Sequence, residues 1–190
     1  ILDSEPTKQR KKKLKQRIKK LKSIDMKYDV MIIGSGPGGY VAAVRAAQLG
    51  FNTAVVEREN LGGICLNWGC IPTKALLKSA QAFNYIKHSA DYGVQIEGSF
   101  KADMNAIVDR SRGVSANMGK GVAHLMQKNN ITVIEGEAKL TSDRKVSVNM
   151  KDGSGEQVFE ADHIILATGA RSRNLPNMPQ DGKKIIGYRE

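Results

Sequence analysis

One stretch narrows the possible folds more than any other: Gly34-Ser35-Gly36-Pro37-Gly38-Gly39. An almost unbroken apolar run, Tyr28-Asp29-Val30-Met31-Ile32-Ile33, leads into it. A run with so little polar alternation reads as a strand buried on both faces. After the glycines, Pro37 to Leu49 is alanine-rich with helical periodicity and stops at Gly50. That predicts a helix opened by proline and ended by glycine. Thr53 to Val56 repeats the buried-strand pattern. A buried strand, a glycine turn, a helix and a second buried strand begin a parallel α/β sheet, because parallel neighbours need a crossover.

The remaining pattern extends that sheet. Thr73 to about His88 and Met104 to Lys128 read as long helices, and Ile131 to Ile134 as a third apolar strand. Lys139 to Phe159 alternates, with Asp152-Gly153 as a turn, which predicts an antiparallel β-meander. The meander is expected as an insertion before a final buried strand, Asp162 to Ala167, that ends in Thr168-Gly169. Pro176, Pro179 and Gly182 mark residues 171–190 as a loop or linker.

Gly34, Gly36 and Gly39 satisfy G-x-G-x-x-G, and the strand before and helix after supply the context that gives this motif meaning. Gly34 permits the tight turn, Gly36 lets a pyrophosphate approach the backbone, and Gly39 lets helix pack on strand. Pro37 and Gly38 complete the loop at a helix N-terminus, whose amides and dipole favour phosphate. Glu57 follows Gly39 by 18 residues, with Arg58 beside it, at the end of the second strand. There its carboxylate is expected to accept from ribose hydroxyls of an unphosphorylated dinucleotide. Position alone does not separate NAD from FAD. Gly62-Gly63 close behind the acid, and a small turn at Thr168-Gly169, favour the larger FAD.

The net charge of +11 suggests nucleic acid until it is located. Residues 1–27 hold eleven of the basic residues against Asp3, Glu5 and Asp25. The excess therefore belongs to an arm, residues 1–25, expected to be disordered or extraneous. Leu14, Ile18 and Leu21 within it have helical spacing, which allows contact with an anionic surface. Met26 is a plausible natural start, and no apolar segment of signal-peptide type follows the basic residues.

The chain has two cysteines, Cys65 and Cys70. In a regular helix their Cα atoms would lie roughly 8–9 Å apart, beyond the ~7 Å limit of a disulfide. They are either unrelated thiols or a pair on a distorted turn. Gly69 and Pro72 supply such a break. His88, His124 and His163 lack ligand-like spacing, so no metal site is expected. Trp68 either shapes a substrate side or packs.

The segment Glu57 to Leu77, with Gly62-Gly63-Ile64-Cys65 and Gly69-Cys70-Ile71-Pro72, closely resembles the active-site stretch of the two-cysteine flavoprotein disulfide reductases. Leu66-Asn67, Ile71 and Ala75-Leu76-Leu77 are most similar to the dihydrolipoamide dehydrogenase branch. The resemblance runs from about Met26 to Glu190. It implies a glutathione-reductase-like, Rossmann-like FAD-binding domain over 26–170, with a redox-active disulfide. Residues 171–190 would then be a linker toward an NAD-binding domain. Cys65 would exchange with the substrate's disulfide or dithiol. Cys70 would lie against the flavin as a charge-transfer thiolate, with Lys74 near the ring. Gly136 and Ala138 would contact the adenine side, and Thr168-Gly169 a second part of FAD.

The resemblance further implies oxidation of dihydrolipoamide with NAD as acceptor, on the lipoyl-bearing acyltransferase of a 2-oxo acid dehydrogenase complex, by a homodimer. The compartment would be bacterial cytoplasm, with the mitochondrial matrix as alternative. The NAD site and the family's His–Glu pair lie outside these residues, so this chain alone is not expected to complete the cycle. The alternatives are a mercuric- or glutathione-type reductase, or a non-catalytic flavin-binding piece with a basic binding arm.

Overall fold

The structure is a computed structural model that describes residues 27–141 and 144–190. The basic arm and its proposed helix fall outside the described residues. Strand β1 (Lys27–Ile33) lies between β2 (Thr53–Glu57) and β5 (Glu156–Leu166), parallel to both. The first half of β3 (Thr132–Leu140) adds to β2, also in parallel. The parallel order is thus β3-β2-β1-β5, an α/β sheet of Rossmann-like form as expected. Four α-helices accompany it among the described residues: α1 (Pro37–Gln48), α2 (Gly63–Asn67), α3 (Cys70–Lys87) and α4 (Met104–Lys128). Asp103 caps α4 by accepting from the Ala106 amide. No helix is long and apolar enough to cross a membrane among the described residues.

The meander is built differently from a simple insertion. Past Glu135, β3 continues and pairs antiparallel with β4 (Lys145–Met150), from Gly136 opposite Met150 to Leu140 opposite Val146. β4 then pairs with the first half of β5, so the five strands close hydrogen bonding into a ring. The outer strands of the parallel sheet therefore serve the meander with their other halves. Closing the ring protects strand ends that would otherwise be open edges.

Alternation along the strands divides the core in two. Met31, Ile33, Ala54 and Val56 face the meander and pack with Val146, Val148 and Phe159. Val30, Ile32 and Val55 face the helices and pack with Ala43 of α1, Leu66 of α2, and Val122 and Met126 of α4. This two-sided burial is what the apolar run of β1 required. The last strand departs from expectation: Ile165, in register with Ile32, is 40% exposed, and Leu166 is 63% exposed. Helix α1 packs mainly on β1 and β2 rather than over Ile165, and Leu166, in register with Ile33, belongs to the opposite face.

Candidate functional site

The turn from β1 into α1 is set by contact, not only by flexibility. Gly34 has φ +100°, and a Cβ on it would meet the Ala167 carbonyl. A Cβ on Gly39 would lie 1.9 Å from the Gly34 carbonyl oxygen. Gly36 and Gly38 face open space instead, with nothing within 4 Å of an added Cβ. Helix α1 starts at Pro37 without a side-chain cap. Its N-terminus therefore presents a bare, positively polarised end.

A cleft of about 500 Å³ opens at the C-terminal ends of β1 and β2. Gly34, Gly36 and Pro37 form one wall, with Glu57 and Arg58 beside them. Gly136 and Ala138 of β3 line a second side, and Thr168 and Gly169 after β5 a third. Gly63 and Cys65 of α2 close it. Gly38, Gly39, Gly62, Cys70 and Lys74 are outside the lining. Ligands of open α/β sheets settle in such a crevice beyond the strand ends. The cradle suits a dinucleotide: the uncapped helix end lies at the cleft, and no Cβ fills the space above Gly36.

Glu57 does more than the spacing suggested. Its Oε2 accepts from the Ser35 amide at 2.9 Å and the Ser35 hydroxyl at 2.6 Å, and its Oε1 accepts from the Glu59 amide at 2.8 Å. A carboxylate offers about four acceptor positions, so three are already used within the chain. Glu57 thus ties the end of β2 to the glycine loop as well as lining the cleft. Ser35, fully buried, escaped the sequence reading, although a small polar residue inside the loop was the available signal.

The cysteines sit on two helices. Helix α2 ends at Asn67, Gly69 is the N-cap of α3, and Cys70 is its first residue. The helix begins earlier than Thr73 because Pro72 occupies its first turn, where no N–H is needed. A Cβ on Gly69 would lie 3.1 Å from the Ile64 carbonyl oxygen and 3.3 Å from the Cys65 Cα. The missing side chain lets the two helices meet at the thiols. Both cysteines are free thiols, Cys65 half-buried and Cys70 exposed.

The Cys65 pKa is raised, first by its side-chain hydrogen bond with Cys70, then by burial and the charge of Cys70; the charge of Lys74 opposes this. Thiol–disulfide exchange runs through a thiolate, which a lowered pKa favours. For Cys65 the direction is opposite, because a proton held between two sulfurs leaves less readily.

The far end of the chain returns to this cleft. Tyr188 and Arg189 line it, and the Arg189 guanidinium stacks 4.4 Å over the Trp68 ring. Arg189 also binds Glu59 at 2.8 Å. Arg58 lies 3.6 Å from Glu137 and 3.7 Å from Glu59, so the rim is lined by paired charges. No sequence signal pointed to Arg189. No cluster able to hold a metal ion is found among the described residues.

A glycine-loop cleft on a parallel sheet, with two adjoining thiols at its edge, is the arrangement of the pyridine nucleotide-disulphide oxidoreductases. The model of that family matches residues 28–190, and the chain belongs to it. Its relatives include dihydrolipoyl dehydrogenase of Rhizobium etli, 54% identical over 176 residues, covering 86% of this chain and 37% of that protein. Dihydrolipoyl dehydrogenase of Zymomonas mobilis is 48% identical, covering 85% of this chain and 34% of its own. The mitochondrial dihydrolipoyl dehydrogenase of Pisum sativum is 43% identical, covering 83% and 32%. Among solved structures, LpdA from Mycobacterium tuberculosis superposes with a TM-score of 0.75 at 25% identity, covering 84% of this chain and 36% of that one. The chain spans about a third of the length of the curated relatives it matches.

Proposed function

We propose that this chain is the flavin- and thiol-bearing part of a dihydrolipoyl dehydrogenase. The observation that carries the reading is a shared location: one cleft is lined by both the glycine loop and Cys65, and Gly69, on which a Cβ would lie 3.3 Å from the Cys65 Cα, starts the helix that carries Cys70 beside it. FAD held there supplies a two-electron acceptor that can hand electrons on to NAD. Gly36, Gly38 and the uncapped start of α1 would receive the pyrophosphate, with Glu57 and Arg58 at the ribose and Gly136, Ala138, Thr168 and Gly169 along the remaining walls. Lys74, four residues into α3, would supply positive charge on the Cys70 side.

The thiol chemistry balances within the pair. One thiolate of a dihydrolipoyl group attacks the sulfur of Cys65 in the oxidised pair, the Cys65–Cys70 bond breaks, and Cys70 leaves as thiolate. The second substrate thiolate then attacks the mixed disulfide, which releases Cys65 and closes the lipoyl disulfide. Two electrons now rest on the cysteine pair. The start of α3 favours negative charge on Cys70, since a helix N-terminus stabilises a thiolate. In this reading the donor is the lipoyl arm of a 2-oxo acid dehydrogenase acyltransferase, and the intact enzyme is a homodimer. Its compartment is the bacterial cytoplasm, with the mitochondrial matrix as the alternative.

The visible spectrum tests this. The purified chain, reconstituted with FAD and reduced by one equivalent of dithionite, should show a long-wavelength charge-transfer band. Cys70→Ser should abolish the band and Cys65→Ser should keep it. A flavin-bound chain that loses the band only with Cys65→Ser reverses the two roles, and a chain that binds no FAD refutes the reading. Steady NADH production from dihydrolipoamide by these 190 residues alone would refute the assignment of the NAD step to a site outside them.

A further inference from the structure

Helix α4 holds the thiol-bearing hairpin through three consecutive residues. Neighbouring residues of a helix point about 100° apart, so only the middle one can face the hairpin directly. That residue is Ser111, 1% exposed, whose hydroxyl donates to the Pro72 carbonyl at 3.1 Å. The long arms on either side reach around it. Arg110 donates from Nη1 to the Ala75 carbonyl at 2.9 Å, and Arg112 from Nη1 to the Asn67 carbonyl at 2.9 Å. Asn67 ends α2 two residues past Cys65, and Pro72 follows Cys70 by two. An anchored carbonyl therefore lies two residues past each cysteine.

The Asn67 anchor has a clear physical cause. Carbonyls in the last turn of a helix lack intrahelical donors, and a cation there is favoured by the dipole. The Asn67 side chain is occupied elsewhere, donating to the Gly63 carbonyl at 2.9 Å and the Leu61 carbonyl at 3.1 Å. Asn67 thus folds α2 back on itself while its carbonyl waits for a donor from another helix. Arg112 lies 45 residues away in sequence and supplies it.

We propose that Arg112, together with Ser111, is a positioning residue for the cysteine pair, and that it sets how readily Cys65 and Cys70 close into a disulfide. The inference rests on the redox reading above. Closing the bond removes two electrons and two protons from the thiols; in the assay, glutathione disulfide takes both and becomes two glutathione thiols. The two sulfurs bond only while α2 and the start of α3 stay in one relative position. Releasing Asn67 lets them separate, lowers the effective concentration of one thiol at the other, and favours the dithiol.

The test equilibrates the chain in glutathione buffers of graded potential, quenches by alkylation and counts modified thiols by mass. Arg112→Ala should shift the equilibrium about tenfold toward the dithiol, which for a two-electron couple is about 30 mV. Arg112→Lys should restore part of the shift, and Lys120→Ala, on an exposed position of the same helix, should cause none. The melting temperature of reduced Arg112→Ala should stay near the parent's, because Arg112 is exposed. If Arg112→Ala does not fold, Arg112→Gln, with a shorter amide donor, takes its place. A parent that forms the disulfide and variants with the same potential overturn the positioning role alone. A parent that never bridges Cys65 to Cys70 overturns the redox reading and the inference with it.

Discussion

Adjacent glycines of one loop should respond to alanine with opposite signs. Gly39→Ala places a Cβ 1.9 Å from the Gly34 carbonyl oxygen and 2.9 Å from its carbon. The oxygen contact falls short of 3.0 Å, the shortest that real Cβ atoms show, by about 1.1 Å. Neither partner is a side chain that can swing aside. Relief must move the backbone of the turn, where the Gly39 amide binds the Gly36 carbonyl and the Gly34 amide binds the Val56 carbonyl, each at 2.8 Å. Overpacking alone costs about 1–3 kcal/mol and more where backbone must shift, while alanine in a helix returns at most ~1 kcal/mol. A net loss of about 3 kcal/mol is expected, a large part of the ~5–15 kcal/mol that holds a domain of this kind.

Gly38→Ala, one residue earlier in the same helical turn, meets nothing within 4 Å. It should stabilise by about 0.5–1 kcal/mol. Gly36→Ala also has space and a backbone angle that alanine accepts, φ −62°. It should cost only about 0.5–1 kcal/mol as a poorer N-cap, yet weaken FAD binding sharply by filling the cleft. Urea unfolding followed by far-ultraviolet circular dichroism reads the stabilities, and flavin fluorescence reads binding. Equal stability losses at Gly38 and Gly39 would refute the contact argument. Undiminished FAD binding by Gly36→Ala would refute the cradle.

Other outcomes follow from the same geometry. In the reduced chain, alkylation of Cys65 should require pH above the ordinary thiol range, and Cys70→Ala should bring it back toward that range. Because the folded pKa of Cys65 is raised, its contribution to stability is present below the ordinary thiol value and is lost as pH rises through the raised one. An alkylation profile unchanged by Cys70→Ala would contradict the shared-proton account. Glu57→Ala should cost about 1–3 kcal/mol in urea unfolding, by leaving the buried Ser35 hydroxyl without its acceptor; an unchanged midpoint would show that Ser35 finds another partner. Arg189→Ala should change the emission of Trp68, the only tryptophan; an identical spectrum would place Arg189 away from the ring in solution.

What the sequence determined by itself is local. The turn at Gly34 to Gly39, the helices of α1 and α4, and the two-sided burial of β1 follow from spacings of a few residues. Backbone sterics and side-chain periodicity act over that range. The break between Cys65 and Cys70 was legible for the same reason, through Gly69 and Pro72. The relation of distant segments was decided only in three dimensions. β3 and β5 extend through the meander because β4 closes the ring, which no alternation pattern announces. Ser35 claims most of Glu57, Arg112 reaches Asn67 across 45 residues, and Arg189 reaches Glu59 across 130. Such arginines and serines carry no periodic signature, since their partners are carbonyls and carboxylates brought near by packing. The sequence named the two thiols and the glycine cradle; the packed sheet brought the cradle and Cys65 to one cleft, and the bonds from α4 tie the helices that carry Cys65 and Cys70.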